Sequence, residues 1–92
     1  MNVEVRYSAQ AREAAGVAVE RVEVAEGASL RDVLADLARR HGAAMGKVLL
    51  DDGGAPHPSV LLFVNDEQVQ WANPPELKDG DTLAIMSPIS GG

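Results

Sequence analysis

The chain has 92 residues, enough for one hydrophobic core but not for two. Fourteen acidic residues against eight basic ones leave a formal charge of −6, which weighs against nucleic acid, whose binders carry basic stripes. Without cysteine there is no disulfide scaffold, thiolate nucleophile or cysteine-ligated zinc. The acidic balance would suit a partner with a basic docking face, although solubility alone accounts for it equally well. One Trp, one Tyr and one Phe leave the core to Val, Leu, Ile and Ala.

The start, MNVEVRYS, lacks a basic segment followed by an apolar run, so no signal peptide is expected. The longest apolar run, VLLFV, is too short to span a bilayer, and a soluble cytoplasmic protein is the expectation. Residues 2–8, NVEVRYS, alternate Val3, Val5 and Tyr7 with Asn2, Glu4 and Arg6, the pattern of a half-buried strand. AQAREAAG at 9–16 offers one turn of helix stopped by Gly16. VAVERVEV at 17–24 is strand-like, but its apolar positions change parity between Val19 and Val22, which predicts a bend or bulge near Glu20 and Arg21.

SLRDVLADLARRHG is the clearest element. Ser29 is placed as N-cap with Asp32 three residues on, Leu30, Val33, Leu34 and Leu37 form one stripe, and Gly42 ends the helix. A helix with a single apolar face must lie on something flat. AAMGKVLL at 43–50 is compatible with a further helical turn, and DDGGAPHP at 51–58 is loop by composition. SVLLFVN at 59–65 shows no alternation and predicts a strand buried on both faces. Asn65-Asp66 is a turn signal before a short strand from Gln68 to Trp71. NPPELKDGD is loop, with Leu77 as a plug and DGD as a tight turn, and TLAIMS at 82–87 is the last strand, ended by Pro88.

The order strand, strand, helix, strand, strand, strand implies an α+β fold. The β-grasp arrangement fits it: a mixed sheet of about five strands, the first and last parallel neighbours at its centre, with one main helix across one face. A domain over 1–87 and a flexible tail over 88–92 are expected, the tail projecting into solvent.

Candidate sites within the domain are few. His41 ends the helix, where a cation is favourable, and His57 lies between two prolines; neither has metal ligands at a recognised spacing, so no metal site is expected. Asp51-Asp52 reads as a solvated loop and Asp79 with Asp81 as turn chemistry. Gly53-Gly54 lacks the context of a phosphate cradle, and no serine has a His–Asp pattern. Trp71 reads first as a core or rim aromatic and second as part of a partner-binding patch. What is left is the tail, MSPISGG, whose two terminal glycines by themselves are as compatible with accident as with a signal.

Three stretches together resemble the MoaD/ThiS family of ubiquitin-like sulfur carriers: VRYSAQAREAAG (5–16), LFVNDEQV (62–69) and LKDGDTLAIMSPISGG (77–92). The last is the most specific, joining a leucine and a DGD turn to a strand, a proline and a terminal Gly-Gly. The resemblance covers essentially the whole chain, with 43–58 the weakest part. It implies a ubiquitin-like β-grasp fold and a carrier that is not itself an enzyme. In that cycle an adenylyltransferase resembling ubiquitin-activating enzymes adenylates the carboxylate of Gly92, using ATP and magnesium. Sulfur from a sulfurtransferase then displaces AMP, and the thiocarboxylate serves a sulfur-acceptor synthase subunit or enzyme. The carrier itself binds no cofactor. Gly91, Ser90, Ile89 and Pro88 are implied as partner contacts, with Phe63 and Trp71 as further candidates. Glycine at 91 and 92 suits a narrow channel and leaves no side chain beside the reacting carbonyl.

The pathway is less determined. VRYSAQAREAAG looks most like the small subunit of molybdopterin synthase, whereas FVNDEQVQW is closer to carriers feeding cysteine synthesis. ISGG also ends carriers for tRNA thiolation, and the same tail would serve a protein modifier joined to lysines through Gly92. Thiamine carriers are typically shorter. Molybdopterin is favoured narrowly.

Overall fold

The computed structural model describes residues 1–88. Alternation buries Val3, Val5 and Tyr7 on one face of β1 (Asn2–Tyr7), and Leu83 and Ile85 on the same face of β5 (Thr82–Met86). These two strands pair in parallel at the centre of the sheet, with Val5 opposite Leu83 and Tyr7 opposite Ile85. A short helix, α1 (Ala9–Ala15), follows β1 and is closed by Gly16 at φ 78°, a left-handed position that glycine adopts without strain. The chain returns as β2 (Val19–Glu23), antiparallel to β1. Next come α2 (Leu30–His41) and α3 (Ala43–Leu49), then β3 (Leu61–Val64) and β4 (Glu67–Gln68). The sheet order is β2-β1-β5-β3-β4, the β-grasp arrangement expected from the sequence.

α2 covers the inner face of the sheet. Leu30, Val33, Leu34 and Leu37 are all buried, in one cluster with Val3, Val5, Leu83 and Ile85. Its first turn has a complete capping box: Ser29 Oγ accepts from the Asp32 amide at 3.1 Å, and Asp32 Oδ2 accepts from the Ser29 amide at 3.0 Å. Those bonds from Ser29 hold the Asp32 carboxyl below its ordinary pKa. Leu77 is buried as the expected plug. Asp81 closes the DGD turn by accepting from the Lys78 amide, and Asn65 donates to it across the gap to β3. Asn65 and Asp66, at φ 49° and 72°, make the two-residue turn between β3 and β4.

Three expectations are corrected. β2 has no bulge: its register with β1 runs unbroken from Asn2 opposite Glu23 to Arg6 opposite Val19. Val19 faces outward and is 51% exposed, while Glu20 takes the inward position that the apolar pattern would have given to a valine. Glu20 is accommodated there by polar partners, accepting from the Tyr7 hydroxyl at 2.6 Å with His41 Nε2 at 2.5 Å. The second correction concerns β3. Only Leu62 and Val64 are buried, Phe63 is half-buried and Leu61 is 44% exposed, because nothing among the described residues covers the outer face of the sheet. The short strand expected at Gln68 to Trp71 is Glu67–Gln68, and Trp71 lies in the following turn. Among the described residues no helix is long and apolar enough to cross a membrane.

Candidate functional site

The geometry of interest is where β5 leaves the sheet. Because β5 lies between β1 and β3, its end emerges at the centre of one edge of the fold. Four backbone-directed hydrogen bonds fix the chain there. The Ser8 amide and the Ser8 hydroxyl both donate to the Ile85 carbonyl at 3.2 Å. Ser87 Oγ accepts from the Ala11 amide at 2.9 Å and donates to the Ser8 carbonyl at 2.6 Å. One residue further, the Gln10 amide donates to the Pro88 carbonyl at 3.3 Å. The first turn of α1 therefore holds the root of the tail up to Pro88.

Beside this exit the outer face of the sheet is apolar. Parity sends Ala84 and Met86 of β5 and Leu61 and Phe63 of β3 outward, with Leu61 opposite Met86 and Phe63 opposite Ala84. Leu61 and Met86 are each nearly half exposed. Toward β2 the same face becomes charged, with Arg6 donating to Glu4 at 2.8 Å and Arg21 and Glu23 beyond. An apolar area at the mouth of an exit, rimmed by charge, is the kind of surface that marks a partner contact.

Of the expected site residues, Phe63 lies on this outer face and Pro88 at the exit. Trp71 is elsewhere: it packs half-buried against the core beneath the Arg31 guanidinium, 5.2 Å from the ring centroid, on the side covered by α2. The structure does not bring Trp71 together with Phe63. Ile89, Ser90, Gly91 and Gly92 lie outside the described residues.

His57 and Asp51, weighed in the sequence as candidates, have structural partners. His57 Nδ1 accepts from the Ser59 amide at 3.2 Å, and Asp51 Oδ1 accepts from the Gly53 and Ala55 amides. Burial, then the hydrogen bond to Glu20 and that carboxylate's charge, raises the Tyr7 hydroxyl above its ordinary pKa of 10.0. Among the described residues no three of His, Asp and Glu gather as metal ligands. A groove of about 550 Å³ runs between residues 24–28 and α2, at the end of the sheet away from the β5 exit. Of the carboxylates lining it, Asp36 is engaged by Arg39 and Arg40, Asp32 by the Ser29 cap and Glu26 by the N-terminal amine.

Sequence reasoning missed Ser8, Ser87, Leu61, Ala84 and Met86. Alternation along TLAIM was a sufficient signal for Ala84 and Met86, since Leu83 and Ile85 had to face the core. No local pattern marks Ser87, whose partners lie at the other end of the chain.

Comparison with known proteins agrees with this architecture. The family model described as the ThiS family matches residues 5–92. Over 92 residues the chain is 35% identical to the molybdopterin synthase sulfur carrier subunit of Chlamydomonas reinhardtii, covering the whole of both chains. It is 30% identical to small archaeal modifier protein 3 of Haloferax volcanii, again over the whole of both. The crystal structure of SAMP1 from Haloferax volcanii superposes with a TM-score of 0.83 at 28% identity, each chain covered completely. The chain belongs to the ThiS family, the ubiquitin-like sulfur carriers.

Proposed function

We propose that the reactive group is the carboxylate of Gly92 and that the domain is the handle by which other enzymes hold it. The observation carrying this reading is the exit of the central strand, fixed up to Pro88 and bordered by the apolar outer face. A carboxylate is a poor electrophile, so a ubiquitin-activating-enzyme-like adenylyltransferase first converts it with ATP and magnesium to the acyl adenylate, releasing pyrophosphate. A sulfide equivalent from a sulfurtransferase then attacks the carbonyl, AMP leaves, and the thiocarboxylate carries the sulfur to its acceptor.

In this scheme the chain contributes delivery and the partner contributes the catalytic groups and the nucleotide. The four residues after Pro88 span at most about 14 Å when extended, so the adenylating site must come to the exit itself. Phe63, with Leu61 and Met86, is the contact proposed for that partner, because these side chains border the exit. The identity to a molybdopterin synthase sulfur carrier subunit supports molybdopterin as the product served, with the acceptor being the other subunit of that synthase.

The experiment is ATP–pyrophosphate exchange with the adenylyltransferase of the same organism, followed by mass spectrometry of the carrier. Replacement of one oxygen by sulfur at Gly92 is the expected mass change. Deleting Gly92 or adding one residue after it should abolish exchange; activation of the extended form at the same rate would overturn the reading. A second reading, conjugation of Gly92 to lysines of other proteins, is favoured by the likeness to a small archaeal modifier protein. It predicts adducts of higher mass on immunoblots of the source organism, and their absence would remove it.

A further inference from the structure

We infer that Ser87 is a positioning residue, whose hydroxyl caps α1 and thereby locks the root of the tail. This inference rests on the proposed activation of Gly92. Ser8 occupies the N-cap position of α1 with extended backbone (φ −135°, ψ 156°), yet its hydroxyl makes no capping bond and turns instead to the Ile85 carbonyl. The amide that an N-cap side chain would satisfy, that of Ala11, is supplied by Ser87 Oγ from the far end of the chain. The same hydroxyl donates onward to the Ser8 carbonyl, so its acceptor and its donor are both committed to backbone and its orientation is fixed.

Two further features make the arrangement hard to replace. Ala11 is fully buried, so its amide has no ready substitute in water once the hydroxyl is gone. Ala9, the first residue of α1, sits at φ 51° in the left-handed region, where a residue with a Cβ is strained. A strained residue persists only where its surroundings hold it, and here they are the bonds from Ser8, Ser87 and Pro88. Without the Ser87 hydroxyl the first turn of α1 relaxes and Pro88 loses its hold. Ser87 and Pro88 are then released, which adds two residues, about 7 Å, to the reach of the chain beyond Met86. A partner that must thread the terminus into a channel would then have to order the root as well as the tail.

The test is ATP–pyrophosphate exchange with the organism's adenylyltransferase, comparing wild type, Ser87→Ala, Ser87→Thr and Val33→Ala. One neutral hydrogen bond shifts a population about fivefold, and the loss of two, with water replacing only the one to the Ser8 carbonyl, shifts it about tenfold. Ser87→Ala should therefore raise KM for the carrier about tenfold with kcat within about twofold, and Ser87→Thr should restore most of the loss. Val33→Ala loses core packing on α2 but leaves the lock intact, and KM should stay near the wild-type value at temperatures where both variants are folded. In the isolated proteins, amide exchange at Gln10 and Ala11 should quicken in Ser87→Ala alone. An unchanged KM for Ser87→Ala beside an active wild type would overturn the inference, as would an equal rise in Val33→Ala. An inactive wild type would instead overturn the activation of Gly92, and unchanged exchange at Ala11 would then remove the lock as well.

Discussion

α1 and α2 begin alike, each behind a serine with extended backbone, and are held by opposite means. α2 carries its cap within its own first turn, through Ser29 and Asp32, and lays Leu30, Val33, Leu34 and Leu37 into the core. α1 buries fully only Ala11, with Ala14 and Ala15 partly packed against the core, and the cap on Ala11 comes from Ser87, 76 positions later. An element held by apolar burial is as durable as the core. One held by a few hydrogen bonds from a distant residue is conditional on that residue's position. The fold thus keeps its conditional helix beside the exit and its durable one across the sheet.

The largest effect that tests this contrast is Leu34→Ala on α2, which should cost about 3 kcal/mol in denaturant unfolding while the transition stays cooperative. A loss well under about 1 kcal/mol would mean that α2 is not the packed helix and would break the comparison. Next is Ser87→Ala, with an expected cost of about 1–2 kcal/mol and faster amide exchange confined to α1. Equal acceleration along α2 would show that the two helices share one fate. Ala9→Gly is smaller and opposite in sign. Relief of the left-handed alanine outweighs the added freedom of the unfolded chain, for a gain of about 0.5 kcal/mol in thermal unfolding. Destabilisation by this change would show that the start of α1 is unstrained.

The smallest effect, within the accessible pH range, belongs to the Tyr7 hydroxyl beside Glu20, with Arg40 opposing the rise in its pKa. Its folded pKa lies above the unfolded value of 10.0, so the stability it contributes is complete below pH 10 and is lost as pH rises beyond it. By losing the hydrogen bond to Glu20, Tyr7→Phe should be less stable than wild type at neutral pH, and the raised pKa of the phenol makes the gap narrow above pH 10 in melting curves. A constant gap would place the phenol outside this linkage.

The same contrast explains which parts of the molecule were legible in the sequence. SLRDVLADLARRHG could be read completely because its cap, its stripe and its terminating glycine are all within one element. The parallel centre of the sheet followed from strand order, and the resemblance of three stretches, LKDGDTLAIMSPISGG the most specific, pointed to the family. The parity change in β2 suggests a bulge only when apolar residues alone are considered, whereas an inward Glu20 is accommodated by Tyr7 and His41. β3 was misread for a related reason: an unbroken apolar run does not reveal whether a second layer of the chain exists to cover it. Ser87 was silent because a serine near a terminus has no local signature of the amide it will meet.

The parallel pairing of β1 with β5 also has a mechanical consequence. Ladder hydrogen bonds run across the strands, so a pull on the tail along β5 loads those to β1 and β3 together, in shear, instead of opening them one after another. The sheet is joined into one piece through β5, since β1 with β2 on one side and β3 with β4 on the other meet only there. A partner that drew the terminus into a channel would therefore pull on a strand that is paired along both of its edges. The force is spread over the whole ladder, and the end can be drawn taut without peeling the protein apart.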